Sequence, residues 1–130
     1  MKITILDTAD QPLYRQIYDQ LAADILTGAL PPDSALPPIR TVATQLKISV
    51  ISVKRAWEEL SRDGYITTAV GRGSFVAAMT EAQRQEKRQA LLSAKLSGGV
   101  DASLALGAAP EEIMQAVQGL LNRRNSRETE

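Results

Sequence analysis

The apolar residues of this chain recur at helical spacing through its first half, alternate over two short stretches near residue 70, and return to helical spacing in the tail. In "PLYRQIYDQLAADILTG", Tyr14, Ile17, Tyr18, Leu21 and Ile25 fall at three- and four-residue steps. Pro12 suits the first turn and Gly28 the stop, so an amphipathic helix is predicted. "ALPPDSALPP" carries four prolines and excludes a regular helix, and Pro32-Asp33 reads as a turn. A second, short helix follows in "IRTVATQL", with Ile39, Val42, Ala43 and Leu46 on one stripe. Ser49 can cap a third, "VISVKRAWEELSRD", whose stripe is Val50, Val53, Trp57 and Leu60 and which Gly64 ends. The joint Lys47-Ile48-Ser49 makes this pair a helix-turn-helix candidate.

"YITTA" and "SFVAA" alternate around Val70-Gly71-Arg72-Gly73, whose glycines permit the positive backbone angles of a tight hairpin. Helices followed by such a hairpin make a winged helix, so residues 1–78 are expected to form a winged helix-turn-helix domain, mainly α with a small β-hairpin. In that architecture the second helix of the pair enters the DNA major groove and the hairpin flanks it. In residues 79–130, Thr80-Glu81-Ala82-Gln83 has the capping-box pattern. Leu92, Leu96, Val100 and Leu104 stay on one four-residue row across Gly98-Gly99, although each glycine costs a helix about 1 kcal/mol. One long helix to about Leu106 is predicted, then a turn at Gly107 and a last helix from Pro110 through "EEIMQAVQGLLNRR". Two such helices cannot bury their apolar faces alone, so a partner subunit is expected to cover them, which makes this a short α-helical dimerisation domain. The terminal "NSRETE" reads as a disordered end.

Charge sharpens the picture. Fifteen basic and fifteen acidic residues cancel overall, but residues 1–35 carry two basic and five acidic side chains, residues 36–76 six and three, and residues 77–130 seven and seven. The positive excess coincides with the helix pair and the hairpin, where it fits an anionic partner as well as ordinary solvated surface. With neither histidine nor cysteine, the common general bases, thiol nucleophiles and zinc ligands are missing, and no P-loop is present. Glu58-Glu59 and Glu111-Glu112 are helix neighbours pointing about 100° apart, unsuited to a shared acid–base site. An enzyme, a metal site and a cofactor are therefore not expected. The apolar run before Asp7 is too short for a signal peptide, and no stretch approaches about 18 uncharged apolar residues, so a soluble, cytoplasmic protein without a membrane partner is expected.

"PLYRQIYDQLAADILTGALPPDSALPPIRTVATQL", "VKRAWEEL" and "DGYITTAVGRGSFV" resemble the DNA-binding domain of the GntR family of bacterial transcription regulators across residues 12–76. The most specific pieces are Leu36-Pro37 with Arg40, the block Val53-Lys54-Arg55-Ala56, and Gly71-Arg72-Gly73 before Ser74-Phe75-Val76. The leading "ITILDTAD", the form "LPPIRTVA" and the short tail resemble the YtrA subfamily, in which a small helical dimerisation domain replaces a large ligand-binding one. The resemblance implies a homodimeric repressor, acting on transporter genes, that holds an inverted-repeat operator in double-stranded DNA. The tail carries no recognisable motif for a small-molecule effector. By position, Arg40 matches the family's DNA-contacting arginine, Ser49, Ser52 and Lys54 match recognition-helix contacts, and Gly71 and Arg72 match the wing tip. This chain departs from the pattern at Val50, Ile51 and Pro38, so an operator cannot be copied from a relative.

The expected DNA-binding residues are thus Arg40, Ser49, Val50, Ile51, Ser52, Lys54, Arg55, Gly71, Arg72 and Gly73. Each also has a purely structural role open to it. Lys54 and Arg55 lie four residues before Glu58 and Glu59, at ion-pair spacing, Ser49 is a natural helix cap, and Trp57 belongs to the core stripe. Ile51 lies off that stripe on the face of Lys54 and Arg55, where it can pack on a thymine methyl or stand as a singly exposed isoleucine. The alternative function is a winged-helix adaptor that binds protein.

Overall fold

The computed structural model describes residues 2–6 and 11–128. The chain divides into two compact units, residues 1–85 and 86–130. Met1, the whole of "ITILDTAD" beyond Leu6 (residues 7–10), and the terminal Thr129 and Glu130 lie outside the described residues.

In the first unit, α1 (Leu13–Thr27), α2 (Ile39–Leu46) and α3 (Val50–Arg62) precede a hairpin of β1 (Ile66–Ala69) and β2 (Gly73–Val76). The helices form where the apolar spacing places them, and α3 packs on both α1 and α2. Its centre is fully buried: Ile17 and Leu21 from α1, Val42 from α2, Val53, Ala56 and Leu60 from α3, with Ile66 and Val76 closing the hairpin side. Trp57 is core, 4% exposed, as its place on the stripe requires. Val50, read from sequence as the start of that stripe, is 37% exposed instead, because it opens α3 a full turn before Val53 meets the core, and Ala56 completes the buried face.

The helix-turn-helix joint is set by backbone geometry. Lys47 takes the left-handed conformation at φ 58°, the amide of Ile48 donates to Ala43 O at 3.1 Å and that of Lys47 to Thr44 O at 3.3 Å. This two-bond pattern satisfies the last carbonyls of α2 and turns the chain sharply. Ser49 then caps α3, its Oγ accepting from the Ser52 amide at 3.2 Å.

The hairpin is wider than two strands. β1 and β2 pair antiparallel from Ile66↔Val76 to Ala69↔Gly73, which leaves Val70, Gly71 and Arg72 as the loop and places Gly73, expected at the tip, in the strand. On the other edge of β2, Ala35 bridges Phe75, the Leu36 amide donates to Ser74 O at 2.9 Å, and the Asp33 amide to Val76 O at 2.9 Å. The proline-rich connection is therefore anchored as a third, irregular strand. Sequence reading missed it because prolines at 31, 32, 37 and 38 leave only a short stretch able to donate.

Two glutamines of α1 hold the start of the chain. Gln16 Oε1 accepts from the Leu6 amide at 2.8 Å while its Nε2 donates to Leu6 O at 3.1 Å. Gln20 does the same with Thr4, at 2.8 and 2.6 Å. Four residues of helix rise about 6 Å and two of extended chain about 6.6 Å, so side-chain amides at i and i+4 match backbone amides at j and j−2, as an antiparallel neighbouring strand would. At the other end of α1, Arg84 Nη1 donates to Leu26 O at 2.8 Å, while its Nη2 meets Glu81 Oε1 at 2.6 Å.

The helix α4 spans Glu81–Ala105 and α5 spans Pro110–Glu128. The capping box forms as read, the Gln83 amide donating to Thr80 Oγ1 at 3.1 Å and the Thr80 amide to Gln83 Oε1 at 2.9 Å. Gly98 and Gly99 stay helical, and the turn falls at Gly107 with φ 86°. The last helix differs from expectation by running through Asn125–Glu128. Arg127 in its final turn offers charge that suits a helix C-terminus. Among the described residues of 86–128 none is buried, and Leu92, Leu96, Val100, Leu104, Val117, Leu120 and Leu121 are 40–55% exposed.

Candidate nucleic-acid interface

Three surfaces of the first unit gather the residues singled out from sequence. A groove of about 460 Å³ between the start of α2 and the hairpin is bordered by Leu36, Pro37, Pro38, Arg40, Gly71, Arg72 and Gly73. Arg40, in the first turn of α2, and Arg72, at the hairpin tip, thus face one concavity although 32 positions separate them in sequence. Both are exposed, and neither has an ion pair or side-chain hydrogen bond among the described residues. A second groove of about 310 Å³ lies between α3 and the hairpin, with Lys54, Glu58 and Ser61 on one side and Thr68 and Ser74 on the other. The last two hydroxyls lie 3.1 Å apart across the strands. The third surface is the outer face of α3, where Ile51, Lys54, Arg55, Glu58, Glu59 and Arg62 meet.

Lys54 borders both the second and the third surface, so it sits at the junction of helix and wing. Its ammonium lies 4.0 Å from Glu58, with both side chains about 65% exposed, a pairing that solvent keeps weak. Arg55 is held more closely: its guanidinium carbon lies 3.8 Å from the centre of the Tyr14 ring, and its Nε 3.7 Å from Glu59. This residue fastens α3 to α1 by covering the face of Tyr14, a half-buried member of the α1 stripe. Ser49, Val50, Ile51 and Ser52 form the N-terminal edge of α3, with the two serine hydroxyls 3.3 Å apart. Sequence reasoning passed over one residue of this set: Val70, at the wing tip beside Gly71, is fully exposed, an apolar side chain with no core to join.

The opposite corner of the unit is structural. Tyr18 donates its hydroxyl to Asp63 Oδ2 at 2.5 Å and stacks edge-on against Tyr65 at 5.9 Å between ring centres. Burial first, and the Asp63 hydrogen bond second, push the Tyr18 phenol far above the usual tyrosine range, and burial raises Tyr65 in the same direction.

A helix-turn-helix whose second helix presents its N-terminal edge outward, with a wing carrying its own arginine beside it, defines a winged-helix DNA-binding protein. The chain belongs to the GntR family, described as bacterial regulatory proteins, which matches residues 13–76, and it is a YtrA-like member. It is 30% identical over 110 residues to an uncharacterized HTH-type transcriptional regulator, YhcF, of Bacillus subtilis (strain 168), covering 85% of this chain and 90% of that one. To the HTH-type transcriptional repressor YtrA of the same organism it is 30% identical over 94 residues, 72% of each chain. Among solved structures, a transcriptional antiterminator from Listeria monocytogenes EGD-e superposes with a TM-score of 0.72 at 27% identity, covering 92% of this chain and 90% of that one. Other curated relatives are longer, and the chain spans 14%, 16% and 31% of three of them. The protein is accordingly a DNA-binding transcription regulator, and its relatives are regulators rather than enzymes. No helix among the described residues is long and apolar enough to cross a membrane.

Proposed function

We propose that the protein is a homodimeric repressor that binds an inverted-repeat operator in the cytoplasm and blocks promoter access. The observation that carries the DNA-facing half of this reading is the shared groove of Arg40 and Arg72, with Lys54 at the neighbouring junction of α3 and wing. These three cations would engage phosphates or base edges while Ser49, Val50, Ile51 and Ser52 approach the major groove and Gly71 and Gly73 let the wing backbone come close. Arg55, drawn over Tyr14, serves the α1–α3 contact first and reaches DNA only at its exposed edge. The dimer half rests on α4 and α5, whose exposed leucine and valine rows have no core of their own. A two-fold pair of heads then calls for an inverted repeat.

Binding to a duplex selected from random sequence, measured across a salt series, tests the reading. Affinity should fall steeply with salt through counterion release, and Lys54→Ala should lower the slope by about one. Arg40→Ala should weaken particular base pairs if Arg40 reads bases, or all sequences alike if it holds phosphate. No measurable binding to any duplex, even at low salt, would instead favour a protein-binding adaptor.

A further inference from the structure

The N-terminal edge of α3 presents an isoleucine that the fold does not use. Ile51 is 77% exposed, second in the helix, and points away from the buried row of Val53, Ala56, Trp57 and Leu60. Its neighbours on that outer face are charged and suited to phosphate rather than to an apolar base feature: Lys54, in a weak exposed pair with Glu58, and Arg55, beside Glu59 and the Tyr14 ring. Ser49 Oγ is occupied, as the cap of the helix and the partner of the Ser52 hydroxyl. Ile51 is therefore the most exposed aliphatic side chain at this edge, well ahead of Val50. In the major groove, the base feature that rewards an aliphatic group is the 5-methyl of thymine, since every other edge there presents hydrogen-bond donors or acceptors.

We propose that Ile51 is a specificity-determining residue whose side chain packs on the 5-methyl group of one thymine in each operator half-site. The proposal rests on the reading of α3 as the helix that enters the major groove. Packing buries roughly one methyl group of each partner, a discrimination of about threefold to tenfold per half-site. Ile51→Ala removes the partner without disturbing the core, because the residue is already solvated.

The test uses the full chain and a duplex selected from a random library by the wild type, with each thymine replaced in turn by uracil, which removes only the methyl group. The expected result is that uracil at one position of each half-site weakens the wild type by threefold to tenfold and leaves Ile51→Ala unchanged, while binding to unselected DNA is the same for both proteins. Two results would overturn the proposal. One is a wild type that tolerates uracil at every position while still preferring the selected sequence. The other is an equal loss in wild type and Ile51→Ala, which would give the methyl contact to another residue. If selection enriches no sequence at all, the reading of α3 fails instead, so the two failures are distinct.

Discussion

Replacing Tyr18 by phenylalanine should change how the stability of the first unit depends on pH, as well as its value at neutrality. Tyr18 is 4% exposed, and its hydroxyl donates to Asp63 at 2.5 Å. A hydrogen bond to a charged acceptor contributes about 1.5–3 kcal/mol; the Asp63 side chain is 40% exposed, so Tyr18→Phe should cost about 1–2 kcal/mol at pH 8. The fold holds Tyr18 and Tyr65 neutral, with folded pKa values above the unfolded value of 10.0. Their contribution is therefore complete below pH 10 and is lost as pH rises beyond it, since unfolding releases a phenol that can ionise. Each tyrosine held neutral removes up to about 1.4 kcal/mol per pH unit well above 10, and about 1 kcal/mol per unit on average from pH 10 to 11.5, because the unfolded phenol is only partly ionised near its own pKa. The phenylalanine variant lacks one of the two losses. Urea unfolding followed by the fluorescence of Trp57 at pH 8 and at intervals to pH 11.5 should show the gap between wild type and variant closing by about 1 kcal/mol per pH unit above 10. A gap of constant size across that range would refute the placement of Tyr18 as a buried, neutral donor.

Gln16→Leu, which fills the same space but removes the paired bonds to Leu6, should destabilise the protein by about 1–3 kcal/mol and speed amide exchange at Leu6 more than anywhere in α3; unchanged exchange would mean that the glutamine does not hold the segment. Lys47→Gly relieves a left-handed residue at the joint and should raise stability by about 0.5–1 kcal/mol, whereas a loss in thermal midpoint would contradict the φ of 58°. A fragment of residues 1–85 keeps the whole buried core and should fold, yet bind a selected inverted repeat at least a hundredfold more weakly than the full chain, because the linked second head is gone; equal affinity would remove the tail from DNA binding.

The winged helix was legible because its signals are local. The stripes of α1 and α2, the Ser49 cap and the glycines around Arg72 each report on a few neighbouring residues, and the structure keeps them. What escaped depends on residues distant in sequence. No pattern near Ala35 announces that it will lie beside Phe75, and nothing near Gln16 and Gln20 marks them as strand-like partners for Thr4 and Leu6. Val50 was misplaced because spacing identifies a face but not where the neighbouring helices begin to cover it. For the candidate interface, sequence named Arg40 and Arg72 separately, and folding supplied their common groove. It also supplied the stacking of Arg55 on Tyr14, which gives that candidate contact a second role as a fastening between helices.

Selection from random duplex DNA with the whole 130-residue chain, followed by footprinting on the winning sequence, tests the central claim most directly. Two protected half-sites related by a two-fold axis, with centres one helical turn or a multiple of it apart, are expected, and protection should weaken in Arg40→Ala. A library that emerges with no sequence enriched over the input, or a footprint of one asymmetric half-site at saturating protein, would contradict it.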